Sequence, residues 1–227
     1  MDGDGNLAAS AFREELPRIP PLDEPADRHL SLLSWLTRLS KARGLSSPIL
    51  VGCGAVELYT NAQTATGDVD IVMRDIAELS AALLELGFHR SSDQRFLYHP
   101  AHSILFEFPS RELRAGERTI TIKYDGVDCK VISPDDLCVN RLEAFEASGG
   151  GTDLVHAYQI YHSFFDHLDH ERLRERVRRT DVRESFRFIH SLHLETESKG
   201  LTIEEQAAGL IAECRRRRGV QWPTGLS

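Results

Sequence analysis

Between Ile49 and Met73 the chain reads as a strand, a glycine turn, a short amphipathic helix and a second strand, and this unit constrains the fold more than any other stretch. The apolar run Ile49-Leu50-Val51 enters Gly52-Cys53-Gly54, and Ala55-Val56-Glu57-Leu58 follows. Thr66-Gly67-Asp68-Val69-Asp70-Ile71-Val72-Met73 then carries two acids one residue apart. Side chains alternate across a strand, so Asp68 and Asp70 share one face while Val69 and Ile71 take the other. At a rise of roughly 3.3 Å per residue the two acids stand about 6.5–7 Å apart along the strand, within reach of one or two shared hard divalent cations. A glycine turn that opens a helix presents backbone N–H groups suited to phosphate. The combination points to metal-assisted chemistry on a nucleotide.

The string Gly-x-x-Ala-Val-Glu-Leu-Tyr-Thr from Gly52, followed by Thr-x-Asp-x-Asp from Thr66, resembles the nucleotidyltransferase superfamily of DNA polymerase beta. It is most similar to the small stand-alone bacterial and archaeal members, some of them toxin components of toxin–antitoxin pairs. The similarity is good from Ile49 to Met73 and looser to about Phe145. The family pattern is a Gly-Gly-Ser or Gly-Ser turn, a helix, Asp-x-Asp on a strand, and a third acid on a neighbouring strand. This chain departs from it at Cys53-Gly54, where the family has Gly-Ser, so a hydroxyl expected near the triphosphate is missing.

The resemblance implies an α+β fold, with a small mixed sheet flanked by helices as the nucleotidyltransferase core and a helical bundle after it. It implies Mg²⁺ or Mn²⁺ as cofactor and a nucleoside triphosphate as substrate, bound around Gly52, Cys53, Gly54 and Thr66. The acceptor is then a hydroxyl of RNA such as a tRNA end, of a protein or of a small molecule, and an antitoxin-like protein is an implied partner. Two-metal phosphoryl transfer follows, with Asp68 and Asp70 shared between the ions. The third acid is Glu107, the only charge in the apolar run Ile104-Leu105-Phe106-Glu107-Phe108. A buried carboxylate is costly unless it is paired, hydrogen-bonded or bound to metal. Two readings of Glu107 therefore stand: a third ligand, or a strand-edge acid paired with an arginine such as Arg111. Lys123, Lys130 and Arg141 are the candidate cations for the triphosphate, since charge developing on phosphate must be stabilised. The missing hydroxyl keeps a second reading open, a catalytically degenerate binding or regulatory module of the same fold.

The rest of the chain is consistent with an intracellular globular protein. An apolar content of 41% and a charged content of 27% exclude wholesale disorder. Apolar runs stay far short of the roughly 20 residues a membrane helix needs. The acidic start Met1-Asp2-Gly3-Asp4-Gly5 is the opposite of a signal peptide. Cys53, Cys129, Cys138 and Cys214 form no Cys-x-x-Cys pair, so free thiols in a reducing cytoplasm are expected. A net charge of −8 argues against broad nucleic-acid affinity.

Residues 1–25, with four prolines, read as a flexible arm, residues 26–148 as the catalytic core and 149–227 as a helical region, the boundary lying at Gly149-Gly150-Gly151. Ala26 to Arg43 has helical apolar spacing and ends at Gly44. Asp125-Gly126 reads as a hairpin turn, and Ser133-Pro134-Asp135-Asp136 as a helix start. His167-x-x-His170 and His190-x-x-His193 have spacings that serve a metal on a helix, but neither pair brings a third ligand by sequence logic. The arginines between Arg172 and Arg187 alternate with acids and read as a salt-bridged face.

Overall fold

Glycines in the left-handed region end the helices and turn the hairpin of this chain. Gly44 (φ 69°) follows helix α1 (Pro25–Ala42), and Gly87 (φ 97°) lies two residues beyond α3 (Ile76–Glu85). Asp125 (φ 46°) and Gly126 (φ 75°) give the two positive angles that a tight hairpin needs between its strands. The computed structural model describes residues 10–20, 25–60, 67–92 and 95–218. It divides into two compact units, 1–133 and 134–227. The division falls at the Ser133-Pro134 helix start rather than at the glycine loop 149–151. The physical reason is that the helix after Ser133 packs its apolar residues with the helices that follow it.

The first unit is α+β. Its strands are β1 (Ile49–Leu50), β2 (Val69–Val72), β3 (His89–Arg90), β4 (Phe96–His99), β5 (Ile104–Glu107), β6 (Thr119–Tyr124) and β7 (Val127–Ile132). Among the described residues they form one mixed sheet in the order β3-β4-β5-β2-β1-β7-β6. The β1–β7 and β2–β5 pairs are parallel and the others antiparallel. The central strands carry Leu50, Val69, Ile71, Phe106 and Val131, all nearly inaccessible to water. Helices α1 and α2 (Gly52–Thr60) pack against each other.

The expectation of a flexible arm fails for residues 10–18, which are helical. Phe12 meets Trp35 edge-on with ring centroids 6.1 Å apart, its carbonyl accepts the Trp35 indole N–H at 3.1 Å, and Leu16 is buried. Two apolar residues four apart on one helix face outweigh the nearby prolines.

The second unit is helical: α4 (Pro134–Ser148), α5 (Gly151–Ser163), α6 (His170–Arg179), α7 (Arg183–Lys199) and α8 (Ile203–Arg218). Leu137, Leu142, Phe145, Leu154, Ile160, Leu173 and Ile189 form its apolar interior. Asp136, fully buried, accepts from Arg172 at 2.9 Å and Arg176 at 2.8 Å, and so ties α4 to α6. Two of the five arginines on α6, Arg172 and Arg176, expected on a solvent-facing salt-bridged face, thus form an internal clamp. Among the described residues, no helix is long and apolar enough to cross a membrane.

Candidate functional site

Asp70 sits where three elements meet. It precedes Ile71 on β2, its neighbour across the parallel β5 is Glu107, and α2 begins beside its carboxylate. The parallel pairing sets Asp70 opposite Glu107 in register, so the two side chains leave the same face of adjacent strands. Asp68, two residues earlier, shares that face. One oxygen from each of Asp68, Asp70 and Glu107 lies within 4.8 Å of the other two. All three are half-buried.

The N-terminus of α2 is fitted to Asp70. Gly52 has φ 57°, and a Cβ placed there would stand 2.0 Å from Asp70 Oδ2. Only glycine satisfies both demands. The next amide, Cys53 N–H, donates to that same Oδ2 at 2.9 Å. Asp70 therefore serves as a tertiary cap for α2, its carboxylate set against the positive end of the helix. The Cys53 amide, expected as a phosphate donor, is directed here at a carboxylate of the protein itself.

Gly54 has a separate reason. A Cβ there would meet His29 Cδ2 at 2.9 Å and Leu50 Cδ1 at 3.1 Å. Beneath it His29 Nε2 lies 3.2 Å from Glu57 Oε2, with both side chains at most 2% exposed. The residue that departs from Gly-Ser is the one that makes room for this buried pair.

Glu107 has an arginine partner, though not Arg111. Arg95, adjacent to the Phe96 that pairs with Glu107 across β4–β5, donates from its guanidinium to Glu107 Oε1. The arginine itself is largely exposed and lies 5.3 Å from the Phe96 ring centroid. No spacing in the sequence links residues 95 and 107; only the antiparallel register does.

The remaining candidates lie on other elements. Lys130 is exposed on β7, in the row of Ile49 and Val72, two residues along β2 from Asp70. Lys123, on β6, is 3.8 Å from Asp128. Arg141 belongs to the second unit, where it pairs with Asp153 at 3.3 Å. Thr66 lies outside the described residues.

The donor set fits a hard divalent cation. Three carboxylates converging within 4.8 Å supply oxygen ligands alone, the chemistry that Mg²⁺ and Mn²⁺ prefer. Such close anions repel one another unless a cation sits among them, and Arg95 and the end of α2 offset that charge in part.

No protein-family model matches the sequence, and no curated protein does. Among solved structures, the chain is similar to an antigenic nucleotidyltransferase-like protein from Paracoccidioides brasiliensis, with a TM-score of 0.47 and 17% identity over 62% of this chain and 78% of that one.

Proposed function

We propose that the chain is a Mg²⁺- or Mn²⁺-dependent nucleotidyltransferase that moves a nucleoside monophosphate from a nucleoside triphosphate to an acceptor hydroxyl of RNA, protein or a small molecule. The observation that carries the reading is the convergence of Asp68, Asp70 and Glu107 from two adjacent parallel strands. These three residues would hold the cation, which when bound supplies Lewis-acid stabilisation of the phosphates and lowers the pKa of the attacking hydroxyl. Asp70 is held in place by the Cys53 amide, and Glu107 is oriented by Arg95. Arg95, with most of its side chain in water, is placed to meet an anionic substrate beside Glu107.

A second reading is a catalytically silent nucleotide-binding or regulatory module. It is favoured by the two internal contacts just described, which engage oxygens and an amide that substrate and metal would otherwise use. One experiment separates the readings. The chain is incubated with Mg²⁺ and each α-³²P-labelled nucleoside triphosphate in total RNA and cell lysate, beside the Asp68→Asn/Asp70→Asn variant. Label transferred by the wild type and lost in the variant supports the enzyme and identifies the acceptor class. Triphosphate bound without transfer to RNA, protein or small molecules supports the silent module. The single Asp70→Asn change, nearly isosteric, is expected to lower transfer by 100-fold or more, on the order of 3 kcal/mol of lost transition-state stabilisation, with the circular dichroism unchanged.

A further inference from the structure

The helical unit holds a second convergence of ligating side chains, different in chemistry from the three carboxylates. His162 is in the last turn of α5, and His193 and Glu197 lie four residues apart on α7, hence on one face of that helix. One donor atom from each of the three falls within 4.8 Å of the other two. The His162 and His193 Nδ1 atoms are 2.8 Å apart. All three residues line a cavity of about 320 Å³, together with Phe165, Asp166 and His167.

Both imidazoles are held by aromatic neighbours. Phe165 stacks on His193 at 4.0 Å between centroids, Tyr161 meets His193 edge-on at 5.7 Å, and Tyr158 stacks on His162 at 5.5 Å. Rings fixed in this way lose little freedom on taking a ligand. His193 is 4% exposed, yet it lines the cavity, so a buried nitrogen-bearing ring reaches a space open to solvent.

We propose that His162, His193 and Glu197 form a binding site for a divalent transition-metal ion, with zinc the best fit, and that a further coordination position faces the cavity. Two borderline imidazole nitrogens beside one carboxylate oxygen favour zinc and its first-row neighbours over magnesium. Around a tetrahedral zinc, nitrogens at about 2.0–2.1 Å from the ion stand roughly 3.4 Å apart, so the two rings need to separate by only about half an ångström. Without metal, the close Nδ1 atoms form an N–H···N hydrogen bond between opposite tautomers. On coordination the donor ring passes that proton through solvent to its own Nε2, so both Nδ1 lone pairs face the ion and no net proton is lost. The site clamps α5 to α7 and is independent of the proposed transferase reaction.

The test uses the full chain, freed of metal by chelation, and titrates Zn²⁺ against a chromogenic chelator in excess Mg²⁺, which occupies the oxygen-only set. The wild type is compared with Glu197→Gln, His162→Gln and Asp70→Asn, each checked for helicity by circular dichroism. Glu197 is exposed, so its amide variant leaves the packed interior untouched. The expected result is one Zn²⁺ per chain, an affinity about tenfold or more weaker in Glu197→Gln and His162→Gln, and no change in Asp70→Asn. Zinc should also raise the melting temperature of the wild type and not of the two weakened variants. Absence of chelator-competitive binding, equal affinity in all four proteins, or loss confined to Asp70→Asn would each overturn the proposal.

Discussion

Gly54 shows how one atom decides what a loop can offer. The missing hydroxyl at this position reads from the sequence as a defect in phosphate binding. The structure supplies another cause, since a Cβ there would press on His29 at 2.9 Å and Leu50 at 3.1 Å. We expect Gly54→Ser to destabilise the chain by about 1–3 kcal/mol, the usual cost of overfilling a packed interior, measured as a fall in the urea midpoint with unchanged slope. An unchanged midpoint would show that His29 swings aside freely. Gly52 is tighter still, because Asp70 Oδ2 takes the space of its side chain. That Gly52 opens a turn was legible from the string itself. That Gly54 serves a buried His29–Glu57 pair was not, because His29 lies 25 positions before Gly54 and meets Glu57 only through the packing of α1 on α2.

At the level of elements, the site depends on which strands become neighbours. The pattern of alternating side chains placed Asp68 and Asp70 on one face of β2, as observed. Glu107 reaches them because β5 lies parallel to β2 with Glu107 opposite Asp70. Arg95 joins through the antiparallel β4–β5 pairing. The same dependence governs Asp136, which stands in the first turn of α4, where an acid suits the positive end of the helix. Its larger role is to hold Arg172 and Arg176 of α6 from a fully buried position. Asp136→Ala removes the shared anion and leaves two mostly buried guanidiniums without it. We expect a loss of about 3–5 kcal/mol, read by urea denaturation followed at a helical signal. A loss under about 1 kcal/mol would mean that the arginines find water without disturbing α6.

For the molecule as a whole, each unit holds a histidine, half-buried His99 and buried His156, whose pKa lies below the ordinary value. His99 in the first unit is lowered by burial and then by nearby His102. His156 in the second is lowered by burial and then by Arg141, with Asp153 opposing. Folding disfavours the charged form of these rings, while the unfolded chain takes up protons near the ordinary histidine pKa of about 6.5. Stability is therefore complete above that value and falls as pH drops through it towards the lower folded-state pKa. Urea midpoints taken from about pH 7.5 down to about pH 5.5 should decline, and His156→Gln should make the decline shallower. A decline equally steep in His156→Gln and in the wild type would show that His156 titrates alike in both states. What the sequence determined by itself was local: helices and strands from apolar period, the hairpin at Asp125-Gly126, the helix start at Ser133-Pro134, and two acids on one strand face. These depend on side-chain direction and on backbone angles a few residues apart. Tertiary structure alone decided the rest, from the order of strands in the sheet to the Arg95–Glu107 contact, the capping of α2 by Asp70, the unit boundary at Ser133-Pro134, and the meeting of His162 with His193 and Glu197. Each joins residues distant along the chain, and only the packing of whole faces against one another fixes which of them meet.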